Sequence, residues 1–186
     1  MYLIVVYQKI DDMIYLGHLD FMNLWEKMLR ILDLPIAFSQ GMHKTMKFNL
    51  IQPLSLGVEG MNELLHVELT QDVDLVNLKS KLITLLPEGI KIKKIVKTKY
   101  NSKWFNQNKV AAKYQISSPK KISDTIATHK NILQIKTLSP TSLLVTVINN
   151  PALQTNIKEI ILTLFPKVDI IKMKRVSLIY RVASLL

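Results

Sequence analysis

His18 and Asp20 stand two residues apart where a helical period begins, and His43 follows in a loop opened by Gly41. An imidazole and a carboxylate sharing a cleft can exchange protons with a hydroxyl or hold a phosphate. His18, Asp20 and His43 are therefore the candidate acid–base set of a metal-independent RNA-processing or RNA-modifying enzyme. A structural reading stands beside it. Asp20 would complement the positive end of the helix, and His18 would be a buried capping residue on the apolar stripe. Other catalytic chemistry lacks its residues. The chain has no cysteine, so an iron–sulfur cluster, a thiolate zinc site or a thiol nucleophile cannot be built from it alone. The four histidines, His18, His43, His66 and His129, have no i, i+4 pairing, so no metal site is expected, and His66 and His129 read as incidental. Gly41, Gly57 and Gly60 are too scattered for a phosphate loop, and no cofactor is expected.

Binding chemistry has more material. Lys91, Lys93, Lys94 and Lys97 share one β-rich run, and Lys99, Lys103 and Lys109 continue past Tyr100, Trp104 and Phe105. Ammonium groups meet phosphates and exposed rings stack on bases, so this interleaving suits RNA. The alternative is a solvated edge strand protected from aggregation by lysine, with the rings in the core. Lys44 and Lys47 flank the Ser39–Lys44 loop and are candidates for phosphate contact. Lys172, Lys174, Arg175 and Arg181 form a second basic cluster near the end of the chain.

The distribution of charge favours binding. Residues 1–97 hold 11 Lys/Arg and 11 Asp/Glu, whereas residues 98–186 hold 14 and 3, so the whole net charge of +11 lies in the second half. The 22 Lys against 3 Arg reflect compositional bias, but such a bias acts on both halves alike and does not produce the asymmetry. A neutral half joined to a basic half points to one surface for polyanion and another for a different partner. No apolar run approaches the roughly 18 residues that cross a bilayer, so a membrane is not an expected partner. The opening Met1–Tyr7 reads as a buried strand and not as a leader. A cytoplasmic location is expected, or an organelle stroma if the gene is organellar.

Hydrophobic periodicity supplies the elements that must position these groups. Tyr2–Tyr7 reads as a strand, followed by a turn at Asp11-Asp12 and a short apolar piece, Met13–Leu16. Phe21, Met22, Trp25, Met28, Leu29 and Leu32 form one stripe of a helix over His18–Asp33, stopped by Pro35. Ile36–Phe38 is expected as a short strand pairing with Lys47–Leu54, and Glu63–Thr70 as the next strand. Leu75–Leu86 reads as a helix capped by Asp72 or Asp74, and Ile90–Lys97 as a strand. Residues 99–109 read as a linker or exposed loop. The second half repeats the order: strand Val110–Ser117, helix Ile122–His129, strands Ile132–Leu138 and Ser142–Ile148, helix Thr155–Leu164 and strand Asp169–Tyr180. Two successive β-α-β-β-α-β runs predict an α+β protein of two tandem ferredoxin-like units with antiparallel sheets. Residues 1–97 would form the neutral domain, 98–109 the linker and 110–186 the basic domain. Each sheet would carry helices on one face and leave the other free for a partner.

One stretch has a more particular pattern. It runs through Gly17-His18-Leu19-Asp20, Leu34-Pro35, Ser39-Gln40-Gly41 and Pro53-Leu54-Ser55-Leu56-Gly57-Val58-Glu59, ending in Glu63–Leu69. This resembles the bacterial domain of unknown function linked to radical SAM proteins, here without the cysteine-bearing radical SAM core. The resemblance covers residues 1–97 and extends weakly to Lys174-Arg175-Val176. It departs where Gly17 replaces the family's serine and Thr45 its histidine, which leaves any chemistry of that loop open. The resemblance implies association with RNA and translation, and a separate radical SAM protein as a second candidate partner. The reading is an RNA-binding protein acting with ribosomal or transfer RNA. An RNA-processing enzyme and a radical SAM adaptor are the alternatives.

Overall fold

The computed structural model describes residues 1–122, 130–150, 157–164 and 172–181. Among these the chain is a mixed α and β protein with eight strands and four α-helices. It divides into two compact units, Met1–Phe105 and Asn106–Leu185.

In the first unit, β1 (Tyr2–Lys9) leads through a 3₁₀ turn at Asp11–Tyr15 into α1 (His18–Ile31). Then come β2 (Phe48–Ile51), β3 (Glu59–Glu68), α2 (Leu75–Leu85), β4 (Ile90–Thr98) and the start of α3 (Ser102–Asn108). The strand order is β4-β1-β3-β2, and every neighbouring pair is antiparallel. The expected stripe of α1 is real: Phe21, Trp25, Met28 and Leu29 are buried. They pack on Leu3, Val5, Tyr7, Leu65 and Val67, the residues of β1 and β3 that share one sheet face. Asp74 caps α2, its Oδ1 accepting from Val76 N at 2.9 Å and Asn77 N at 3.4 Å.

The second unit contains β5 (Lys109–Ser117), β6 (Ile132–Ser139), β7 (Ser142–Ile148), α4 (Ile157–Leu164) and β8 (Lys172–Tyr180). Its strand order is β8-β5-β7-β6, again antiparallel throughout, so the connectivity of the first sheet is repeated. Ala112, Tyr114, Ile116, Leu143, Val145 and Val147 are buried on one face, with Ile157, Ile160 and Ile161 of α4 also in the core. Residues 123–129 of the expected helix lie outside the described residues, as do 155–156, which begin another, and 169–171, which open the last strand.

Four expectations are corrected. Met13–Leu16 belongs largely to the 3₁₀ turn and not to a strand. Ile36–Phe38 makes only isolated bridges, Ile36 to Leu69 and Phe38 to Met46. Residues 99–109 are not an extended linker or loop throughout but contain α3, whose Phe105 is 1 % exposed. The far sheet face of the first unit is not free either, because Ile4, Val6, Leu64 and His66 are all buried. Phe105 covers part of it, meeting the His66 ring edge-on at 6.1 Å. No helix among the described residues is long and apolar enough to cross a membrane.

Candidate nucleic-acid interface

A strand presents alternate side chains to opposite faces, so the pairing register assigns each residue of the second sheet to one side. The core side takes Ala112, Tyr114 and Ile116 of β5 with Val147, Val145 and Leu143 opposite them. The other side is built in rows. One row runs Lys174, Gln115, Leu144, Lys136 across β8, β5, β7 and β6. A second runs Ser177, Lys113, Thr146, Gln134, and a third runs Lys172, Ser117, Ser142, Ser139. Lys136 and Lys172 are exposed, while Lys113 and Lys174 are partly so. Gln115 Nε2 donates to Ser142 Oγ at 3.3 Å, and the Ser117 and Ser142 hydroxyls lie 3.3 Å apart. No Asp or Glu occurs in any of these four strands. Among the described residues, these strands therefore bring four lysines together with amides and hydroxyls and contribute no carboxylate. Such a strand surface, rich in ammonium groups, suits contact with an anion.

The register separates the predicted basic residues. Lys172 and Lys174 lie on this face. Lys109 and Arg175, expected to contact RNA, do not: they are 4 % and 2 % exposed. Arg175 alternates with Lys174 and pairs with Tyr114 on the core side, and a bulge at Val110 turns Lys109 to that side as well. Burial pushes the Lys109 ammonium below its ordinary value, and the Arg175 charge pushes it further. Arg181 is exposed beyond β8. Lys113 and Lys136 belong to no run of lysines, and only cross-strand pairing gathers them with Lys172 and Lys174. The sequence signal was period-2 alternation: Lys113 and Gln115 alternate with Ala112, Tyr114 and Ile116.

In the first unit, Lys91 and Lys93 are exposed on β4, and Lys93 Nζ donates to Asn62 Oδ1 at 3.0 Å. Lys97 is paired with Asp72 at 2.5 Å, an ion pair that holds the Asp72 carboxyl below its usual range. Lys103 is exposed on α3. Trp104 is only half-exposed and lies on Tyr100 with centroids 4.2 Å apart, so this pair is partly satisfied within the chain. Lys44 is exposed in the Ser39–Thr45 loop, which is closed by Ser39 N–H donating to Thr45 O and by Thr45 N–H donating to Ser39 Oγ. Lys47 is bonded to Glu68 at 3.3 Å.

The acid–base set is not assembled. No hydrogen bond, ion pair or ring contact joins His18, Asp20 and His43, and all three are exposed. The expectation of a buried, capping His18 is also corrected: Gly17 is the N-cap, with no side-chain cap bond. His18 does line a crevice with Lys9, whose Nζ donates to Leu16 O at 2.9 Å and sits 4.5 Å over the Phe21 ring. That crevice holds about 10 Å³, room for at most one water and none for a substrate. Among the described residues no cluster of three His, Asp or Glu could hold a metal ion.

A larger cleft opens at the β2 end of the first sheet. It encloses about 290 Å³ and is lined by Tyr2, Lys47, Asn49, His66, Glu68 and Asn101, among others. His66, read from sequence as incidental, is 4 % exposed there, bonded through Nε2 to Tyr100 O at 3.1 Å and packed on Tyr2 at 5.0 Å.

Against known families, residues 3–181 match a family described as an uncharacterized protein conserved in bacteria (DUF2344). No curated protein matches the chain.

Proposed function

The chain belongs to that bacterial family, and on this premise we propose that it is a non-enzymatic RNA-binding protein whose second unit holds RNA backbone on its polar sheet face. The observation that carries the reading is the four-strand face with Lys113, Lys136, Lys172 and Lys174 and no carboxylate. The face is four strands wide, about 14 Å across at ~4.8 Å per strand, a span suited to a short stretch of polynucleotide. Each unit is read as ferredoxin-like, supported by two sheets with the same antiparallel order and by the β-α-β-β-α-β succession in the first. The RNA is taken to be ribosomal or transfer RNA in translation or RNA maturation, encountered in the cytoplasm or an organelle stroma. Electrostatic capture of structured RNA needs no cofactor. His18, Asp20 and His43 are exposed and share no hydrogen bond, which favours binding over the acid–base alternative.

The adaptor reading keeps one argument, the resemblance of residues 1–97 to the radical-SAM-linked domain, and it names a separate radical SAM protein as partner. Cross-linking the tagged chain to RNA in its own cells, then sequencing the attached RNA, tests the proposal. A sharp peak on one ribosomal or transfer RNA is expected. No RNA above background, with a cysteine-containing protein co-purifying, would replace this reading by the adaptor.

A further inference from the structure

We infer that the 290 Å³ cleft of the first unit is a guanine-binding pocket, reading the base edge through the juxtaposed Lys47 ammonium and Glu68 carboxylate. The inference rests on the RNA-binding reading only in taking the base from an RNA strand; the pocket chemistry stands apart from it.

The register places the lining. Tyr2 faces Glu68 across β1 and β3, and Asn49 faces His66 across β2 and β3, so all four share the sheet face away from α1. Asn101 closes the side, its Oδ1 accepting from Trp104 N–H at 2.9 Å, which leaves its NH₂ as a donor. Tyr2 gives a planar ligand a ring to lie against, and the buried His66, with its centroid 5.0 Å from that of Tyr2, supports that ring from below. Burial pushes His66 below its ordinary value, which favours the uncharged ring at the floor of the cleft.

The edge chemistry selects among bases. Lys47 Nζ lies 3.3 Å from Glu68 Oε1, so the pocket presents a cationic donor beside two anionic acceptors. Guanine offers the complementary order: the O6 acceptor, then the N1–H and N2–H donors. O6 would meet Lys47, and the two N–H groups would meet the two carboxylate oxygens. Adenine reverses the first two positions, setting its N6 amino group against the ammonium and its N1 lone pair against the carboxylate. Cytosine fails in the same way, and uracil supplies one N–H in place of two. The Lys47 and Glu68 side chains are 43 % and 32 % exposed, so discrimination comes from matching donors to acceptors with charged partners, which make the stronger hydrogen bonds.

Calorimetric titration of the full chain with GMP, IMP, AMP, UMP and CMP tests this, alongside short single-stranded RNAs carrying one central G or A. GMP is expected to bind on the order of tenfold or more tighter than AMP, with IMP intermediate because it lacks the N2 amino group. Glu68→Gln should remove the preference and leave the salt dependence of RNA binding unchanged. Discrimination with free GMP identifies a nucleotide site, and discrimination seen only in the oligomer identifies an RNA base; both uphold guanine recognition. Equal affinity for G and A in both formats overturns it, as does a Glu68→Gln variant that keeps the preference. RNA binding without any G preference sinks the pocket alone, and G preference without RNA binding sinks the RNA reading alone. The IMP comparison uses the unaltered chain, so it decides even if a variant misfolds.

Discussion

Removing lysines from the second sheet face should change how RNA affinity depends on salt, by an amount that follows from counting. Four ammonium groups, Lys113, Lys136, Lys172 and Lys174, share the face. If each displaces one counterion from single-stranded RNA, the slope of log K against log salt is about −2.8, at roughly −0.7 per contact. Affinity should then fall about 50-fold between 50 and 200 mM salt. Lys113 and Lys174 lie one row and one strand apart, about 8 Å between Cα atoms from strand rise and spacing. Replacing both with glutamine should bring the slope to about −1.4. Lys109→Met should leave the slope where it was, because Lys109 is buried on the opposite face. Fluorescence anisotropy with a labelled RNA, at five salt concentrations, reads all three slopes. An unchanged slope in the double variant, or a fall in the Lys109 variant, would refute the assignment of this face.

Three further outcomes follow from buried and capping groups. Lys109 is a desolvated cation whose ammonium is disfavoured first by burial and then by Arg175. Lys109→Met should therefore stabilise the chain by about 1 kcal/mol or more, and a lower melting temperature would show that Lys109 has a favourable partner. His66 is pushed below its ordinary 6.5 by burial, against the opposing Tyr100 carbonyl and Glu68. The unfolded chain thus takes up that proton first as pH falls. Stability should be full above about pH 6.5, decline below it, and level off once the folded state is also protonated. Urea midpoints at pH 7.5 and 5.5 should differ less in His66→Gln; an equal difference would place the acid sensitivity elsewhere. Asp74→Ala removes the α2 cap and should cost about 1 kcal/mol by chemical denaturation, and no loss would mean that water replaces the cap.

Much of the fold was legible because local patterns and tertiary packing agree. The α1 stripe from Phe21 to Leu32 packs as its period requires, and β7 runs over Ser142–Ile148 as expected. Asp74 caps α2 where an acidic residue precedes an apolar run. The misses have physical causes. Residues 102–108 lack the apolar period of a helix, and only Phe105 is buried, so one packed ring holds a seven-residue helix that pattern alone does not announce. Ile36–Phe38 has β-rich residues but meets two different partners, Leu69 and Met46, through single bridges and so builds no ladder.

The site was harder to read than the fold. A run of lysines such as Lys172-Met173-Lys174-Arg175 looks like one patch, yet strand alternation sends Arg175 inward and the lysines outward. The face itself joins residues from four strands, and no linear window contains them. The Tyr2–His66–Glu68–Lys47 cleft is of the same kind, assembled by β1, β2 and β3 from positions as much as 66 residues apart.

The account rests most directly on where RNA touches the second unit. Amide shifts of isotope-labelled protein, followed by NMR as a short RNA is added, locate that contact. The predicted result is a continuous set of perturbed amides across Lys113–Ser117, Ser142–Thr146 and Lys172–Ser177. Perturbations confined to His18, Asp20 and the Ser39–Thr45 loop, with β5, β7 and β8 silent, would contradict it.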